Sequence, residues 1–322
     1  MASRRQRKGK KQKSKSKAEK QPELVEKPVE KKKTTIREFY EQKYKQLLII
    51  PFAMLIIAFI IIGFQVVTTG DFVDKDVSLK GGLTVTVLTK DVTVDDIEAY
   101  IASEFPDSDS RVRELSELGS QVGLIIDASD IEQSVLVDSL AKKIPGFRDN
   151  YSAETIGPAL GGSFFKQTML AIFMAFIFMS LVVFYYFRTL VPSGAVVLAA
   201  FSDIVVTIAV MNIIGMRLST AGIAALLMLI GYSVDTDILL STRVLKRKEG
   251  NVLDRMIGAI KTGLTMNFTT MAAIITAMVV SQSEIISQIM TILLIGLIID
   301  IINTWIQNVG ILRYYVAKKG IK

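Results

Sequence analysis

The sequence predicts a membrane-embedded α-helical bundle of about six transmembrane helices, with a separate α+β domain inserted between the first span and the second. Three observations carry this. Half of the 322 residues are hydrophobic and the mean hydropathy is +0.42, more than a water-soluble chain of this length needs for its core. The apolar residues gather into runs of roughly 18–28 residues, and about 20 are needed to cross a hydrocarbon layer at ~1.5 Å per residue. Between the first and second runs, from Gly70 to Ser163, charges are frequent, acids outnumber bases and continuous apolar runs vanish.

In chain order, residues 1–46 begin "MASRRQRKGKKQKSKSKAEK". So basic and aromatic-poor a stretch cannot bury enough apolar surface to order itself, so a disordered cytoplasmic tail is expected. A basic run before a span reads as an orientation signal near anionic membrane lipid rather than as a nucleic-acid arm. The first transmembrane segment, 47–69, opens with "LLIIPFAMLIIAFIIIGFQVV". It carries no charge and is too long for a cleaved signal core.

The domain over 70–165 reads as strand ("VSLKGGLTVTVLT"), helix ("TVDDIEAYIASEF"), strand ("SRVRELSE"), strand ("QVGLIIDA"), helix ("DIEQSVLVDSLAKKI") and strand ("YSAETIG"). Leu83, Val85 and Val87 alternate as one face of a strand. Thr93 ahead of Asp95 and Asp96, and Asp130 ahead of Glu132, are the expected helix starts. The order βαββαβ predicts a ferredoxin-like sandwich, with two helices on one face of an antiparallel sheet.

A five-helix bundle is expected over 166–316, with spans near 167–187, 190–214, 218–240, 263–280 and 285–312, and a short tail over 317–322. Basic residues fall consistently on one side: the first tail, Arg188, the "RVLKRKEGNVLDR" loop and "RYYVAKKGIK". Only Arg217 interrupts the short loops of the other side. By the positive-inside rule both termini are cytoplasmic and residues 70–165 are extracytoplasmic, in a multi-pass protein of the cytoplasmic membrane.

The chain contains no cysteine and no histidine. Disulfides, thiolate and imidazole metal sites, histidine triads and histidine proton relays are thereby excluded. No glycine-rich Lys-Ser/Thr phosphate loop is present, so ATP is not the expected fuel, and neither a cofactor nor a metal is expected. No pattern in the α+β domain singles out an acid/base pair, so an enzyme is the least favoured class.

Chemistry, if present, falls to carboxylates inside the spans: Asp203 in "AAFSDIVVT", Asp235 and Asp237 in "GYSVDTDILL", and Asp300 in "GLIIDIINTWIQN". A charge at mid-bilayer costs about +3 kcal/mol on insertion scales, and no Lys or Arg shares these runs. Asp203, Asp235 and Asp237 are assigned to a proton relay, because amides would hold helices together equally well without the charging cost. Thr207, Thr236, Asn267 and Asp300 are assigned as polar support, with Thr207 and Thr236 as candidate bridges. Asn303, Asn308, Thr269 and Thr270 read as interhelical glue. Asp235 and Asp237 stand about 200° apart around a helix and cannot both face one interior. Asp235 shares a face with Gly231, a small residue that permits close helix approach, and is expected to face the bundle, with Asp237 as its partner or near the inner rim.

Four segments, "KDVSLKGGLTV", "ETIGPALGGSFFKQTMLA", "FSDIVVT" and "GYSVDTDILLSTRVLKR", together with the one-plus-five topology, resemble the SecF branch of the SecD/SecF family within the resistance-nodulation-division superfamily. Ser202-Asp203 stands where the bacterial branch has His-Asp, Asp235-Thr236-Asp237 where it has Asn-Asp-Thr, and Lys261-Thr262 near its arginine. The sequence is thus similar to the archaeal branch. The resemblance implies an auxiliary subunit of protein export driven by the proton gradient, with a SecD-like partner, Sec channel subunits and an unfolded polypeptide in transit. Gly81 and Gly82 are assigned to substrate contact or a domain hinge, against the plainer reading of a bulge or close approach. A single-bundle exporter of lipids or small molecules and a non-coupled scaffold are the alternatives.

Overall fold

A computed structural model of the chain describes residues 45–117, 120–246, 251–281 and 283–320. Residues 1–44 of the expected first tail, 247–250 of the basic loop and 321–322 lie outside the described residues. Among those described, six helical segments are long and apolar enough to cross a membrane, and a small antiparallel sheet domain lies between the first and second.

The membrane elements are α1 (Ile49–Thr69), α5 (Pro158–Phe187), α6 (Leu190–Ile213), α7 (Thr220–Leu245), α8 (Val252–Val280) and a sixth unit. That unit comprises α9 (Glu284–Ile302), a π-helical segment (Asn303–Asn308) and α10 (Val309–Lys319). Each end has a local cause. Gly70 stops α1 with a left-handed φ of +81°. Pro158, whose ring presets a helical φ, opens α5 eight residues ahead of the expected 166. The Ser219 hydroxyl accepts from the N–H of Gly222 at the start of α7. α8 begins eleven residues ahead of the expected 263, because "VLDRMIGAIK" is too charged to read as a span yet continues the same helix. The bundle is built around α6 and α7: 67% and 56% of their most apolar stretches are buried, against 11% for α1 and α5.

In the α+β domain, β1 (Gly82–Val87), β2 (Ser110–Glu117), β3 (Ser120–Ala128) and β4 (Tyr151–Ile156) form a sheet in the order β2-β3-β1-β4, every neighbouring pair antiparallel. With α3 (Val94–Glu104) and α4 (Gln133–Lys143) the chain order is the expected βαββαβ. Leu83, Val85 and Val87 point inward in alternation and meet Ile97, Ile101 and Leu136 of the two helices.

Two expectations are corrected. "VSLK" is not strand: Val77–Lys80 forms a helical turn, α2, that buries Val77 and Leu79. Gly81, at φ +89°, reverses the chain before β1 starts at Gly82. Asp130 does not start a helix; it adopts a left-handed φ of +65°, and α4 begins after Glu132. Thr93 does cap α3, accepting from the N–H of Asp96 at 3.3 Å.

The domain is fastened to one loop of the bundle, residues 212–220, which joins α6 to α7. The N–H of Asp76 donates to the carbonyl of Leu218 (2.9 Å), and the N–H of Leu218 to that of Asp74 (2.7 Å). Asn212 Nδ2 donates to the Phe72 carbonyl at 3.0 Å, and Arg111 Nη1 to that of Gly215 at 2.8 Å. Asp109 pairs with both Arg217 (2.6 Å) and Lys80. Partial burial works against its charge, but the two cations outweigh it and hold the Asp109 carboxyl below the usual range. Asp76 moves the other way, pushed up by burial and by the nearby Asp127 charge, with Arg113 offsetting in part.

A buried carboxylate cluster as the candidate functional site

α6, α7 and the sixth unit bring Asp203, Asp237 and Asp300 into one interior, each 0% exposed. Asp203 accepts from the Ser233 hydroxyl through Oδ2 and from Asn303 Nδ2 through Oδ1, the latter at 2.7 Å. Asp300 accepts from Asn267 Nδ2 at 3.1 Å and from the Thr304 hydroxyl at 2.9 Å. Asp237 accepts from Asn308 Nδ2 at 2.7 Å, with Thr304 beside it. Every one of these donors is neutral, and among the described residues no Lys or Arg pairs with any of the three acids. Three like charges without a cation are unfavourable in a low-dielectric interior, so the site is suited to holding and exchanging protons.

The π segment makes this arrangement possible. Residues five apart on an α-helix stand about 140° apart, whereas an i→i+5 turn returns them to nearly the same face. Asn303 and Asn308 are five apart, and both reach a carboxylate. Within the same turn Trp305, 3% exposed, lies against Gly263 of α8 so closely that a Cβ there would be 2.1 Å from the ring.

The sequence-assigned residues divide accordingly. Asp203, Asp237, Asp300 and Asn267 are brought together. Asp235 is not: its side chain is exposed on the outer face of α7, so the expectation that it faces the bundle is corrected. The buried face of α7 is the one that carries Ser233, Asp237 and Ser241, four residues apart. Gly231 is likewise exposed, with nothing within 4 Å of its would-be Cβ among the described residues, and mediates no helix approach among them. Thr207 and Thr236 bridge nothing; their hydroxyls donate to the carbonyls of Asp203 and Tyr232 in their own helices. Among the described residues Thr269 also bonds only within its own helix.

Asn303 and Asn308, read from sequence as interhelical glue, do bond across helices, and the groups they reach are the acids. Thr304 was not singled out, and Ser233, which shares the Asp237 face with Ser241 at a spacing of four, was given no role of its own. Their signal was present in the spacing of Ser233, Asp237 and Ser241, and in the polar density of "DIINTWIQN". Gly81 and Gly82 sit far from the cluster, where the domain meets the start of α5: a Cβ on Gly81 would lie 2.4 Å from Pro158 Cα, and one on Gly82 2.6 Å from the Ala128 carbonyl oxygen.

A family model described as "Protein export membrane protein SecD/SecF, C-terminal" matches residues 137–318. The protein-export membrane protein SecF of Pyrococcus furiosus is 41% identical over 288 residues, covering 89% of this chain and 96% of the relative. That of Methanocaldococcus jannaschii is 39% identical, covering 87% and 98%, and that of Haloferax volcanii 36%, covering 84% and 92%. Among solved structures, SecDF of Thermus thermophilus, a translocon-associated membrane protein, superposes with a TM-score of 0.67 at 17% identity. The match covers 87% of this chain and 38% of that one, which is a likeness of fold. On a family match across more than half its length, and near-full-length relatives at about two-fifths identity, the chain belongs to the SecF branch of the SecD/SecF family of protein export membrane proteins.

Proposed function

We propose that the protein is a non-enzymatic auxiliary subunit of the Sec protein translocase, which with a SecD-like membrane partner promotes polypeptide export using the proton gradient. The family membership supports the export role. The single observation that supports proton coupling is the cluster of Asp203, Asp237 and Asp300, fully buried with neutral donors only. A proton crossing a potential gains about 2.3 kcal/mol per 100 mV, enough to bias a conformational cycle.

In this reading both termini are cytoplasmic, the α+β domain over 70–165 is extracytoplasmic and faces the emerging unfolded chain, and the bundle occupies 166–316. The cluster's charge state is relayed through α6 and α7 to the 212–220 loop and so to the domain. Gly81, which meets the start of α5, and Gly82 beside it act as the hinge. The largely unburied apolar faces of α1 and α5 are available to membrane lipid, the SecD-like partner and channel subunits.

The test has two parts. Affinity purification from native membranes should recover a larger multispan homologue in fixed ratio. In an export assay with the proton gradient present or collapsed, Asp203→Asn and Asp237→Asn should abolish the gradient-dependent part while Asp235→Asn keeps it. Full export by both buried-site variants would make the protein a scaffold. Recovery of homo-oligomers alone would move the reading to a small-molecule or lipid exporter.

A further inference from the structure

A cavity of about 250 Å³ lies where the α+β domain meets the near end of the bundle, and three arginines, Arg111, Arg113 and Arg217, line it. Strand geometry places two of them. Arg111 and Arg113 flank Val112 of β2, which is buried in the domain core, so both point from the opposite face of the sheet toward the bundle. Gly215, with a left-handed φ of +67°, turns the loop that carries Arg217. α9 holds that loop in place: Gln288 Nε2 donates to the Arg217 carbonyl at 2.8 Å, and its Oε1 accepts from the Ser219 hydroxyl. Ser287 and Thr291, one turn apart on α9, complete the wall.

This convergence needs a cause. Between residues 70 and 165 the chain has three arginines, Arg111, Arg113 and Arg148. Two of them come to this cavity, and they meet the one cation that interrupts the short loops on the domain's side. Ion pairing explains only part of it. Arg113 pairs with Asp127, and Arg217 with Asp109 at 2.6 Å. Arg111 has no carboxylate partner among the described residues; of its five N–H groups, one is spent on the Gly215 carbonyl at 2.8 Å. Asp76 is the one acid in the lining. Burial and the nearby Asp127 charge push its carboxyl toward the neutral form, in which it donates to an anion instead of repelling it.

The level of the cavity narrows the choice of anion. Ile214 lines it and is exposed, as is Ile213 at the end of α6; Ile285 and Ile286, exposed as well, stand immediately before Ser287 on α9. These side chains sit at the near ends of two membrane-crossing helices, so the guanidinium groups stand where hydrocarbon gives way to headgroups. Guanidinium forks match phosphate oxygens in pairs, and the apolar surface beside them suits an attached acyl chain.

We propose that Arg111, Arg113 and Arg217 form a phosphate-binding site, filled by the headgroup of a phospholipid from the leaflet on the domain's side. Arg111 supplies the charge that no carboxylate offsets, and the Ser287 hydroxyl a further donor. A lipid held there touches β2, the 212–220 loop and α9 at once, and so adds to the attachment of the domain. Free phosphate offers the same chemistry without the chains. Neither proton coupling nor the choice of cytoplasmic face enters this inference.

The full-length protein, delipidated in a mild detergent, would be titrated with dioleoylphosphatidylglycerol, with bound lipid counted by native mass spectrometry. Dioleoylglycerol, which has the same chains and no phosphate, and inorganic phosphate, followed by calorimetry, are the comparison probes. Arg111→Gln removes the charge. Ser287→Asp puts a negative charge into the cavity from a half-buried position in the first turn of α9, where a carboxylate suits the helix dipole. Arg148→Gln, at an exposed ion pair with Asp138, is the control. Phosphatidylglycerol should bind the unsubstituted protein and Arg148→Gln alike, and Arg111→Gln and Ser287→Asp roughly tenfold or more weakly, as loss of a charged hydrogen bond implies.

Equal phosphatidylglycerol affinity in all four proteins overturns the site. Dioleoylglycerol binding that the same variants weaken equally makes the contact apolar and overturns the phosphate. Inorganic phosphate that binds the unsubstituted protein and not Arg111→Gln, with lipid binding equal in both, overturns the lipid as occupant. If Arg111→Gln does not fold, Ser287→Asp decides alone.

Discussion

Gly263 and Gly231 invite the same substitution with opposite results. In Gly263→Ala the new methyl would stand 2.1 Å from Cζ2 and 2.4 Å from Cη2 of Trp305, and 3.4 Å from Thr236 Cγ2. The first two distances are far inside contact, and the obstacle is a rigid ring that is itself 3% exposed. The indole must move with the π turn that carries it, and overpacking of this kind costs about 1–3 kcal/mol. Gly231→Ala meets nothing within 4 Å and lies mid-helix on an exposed face; there alanine is worth up to about 0.5–1 kcal/mol over glycine. The assay is the fraction of detergent-solubilised protein that stays folded and monodisperse after heating. Gly263→Ala should lose on the order of several degrees and Gly231→Ala should lose none. Gly263→Ala should also impair export, because Trp305 lies between Asn303 and Asn308, which hold two of the acids. An unfolding temperature for Gly263→Ala at or above that of the unsubstituted protein would refute the claim that α8 and the π turn are in van der Waals contact.

Asn308→Ala takes from Asp237 the donor at 2.7 Å and should cost about 1–3 kcal/mol, with export falling in a pulse-chase assay while Thr269→Ala has little effect. Asp109 is held below its ordinary value of 3.8, so its stabilising contribution is fully present above that pH and is lost as pH falls through the folded value. The thermal-stability difference between the unsubstituted protein and Asp109→Asn should therefore be present at neutral pH and vanish in strong acid. Gly81→Ala combines a φ of +89° with a Cβ 2.4 Å from Pro158 Cα, and should destabilise by more than ~1 kcal/mol in the same heating assay.

Much of this architecture is legible in the sequence, for a physical reason. A span must be about 20 apolar residues long whatever it packs against, so the six crossings stand out from composition. Strand alternation and the Thr93 cap carried the α+β order as well, although the Asp130 cap failed. What failed depended on information the chain does not write locally. The spacing of Asp235 and Asp237 says that they oppose each other, but only the packing of α6 says which one is inside. The early starts of α5 and α8 were hidden because a helix continues past the membrane without further need of hydropathy. "VSLK" has strand composition and becomes a helical turn because Gly81, pressed on Pro158, turns the chain there. A π turn has no residue signature, and reading 303–308 as an α-helix puts Asn303 and Asn308 on different faces; their joint role was invisible until the turn was seen.

The attachment of the α+β domain to residues 212–220 bears on how such proteins can be rebuilt. By chain connectivity the domain looks like a cassette, entering from α1 and leaving by α5, two helices whose apolar surfaces are mostly unburied. Apart from a bond from Gln65 Nε2 of α1 to Asp74 (2.7 Å), however, its hydrogen bonds and ion pair described above go to a loop between two other helices, through Asp74, Asp76, Asp109 and Arg111. A chimera that exchanges only the stretch between α1 and α5 would bring a domain whose docking groups no longer match their loop. The unit of exchange is the domain plus residues 212–220, two segments separated in sequence that have to be transplanted together.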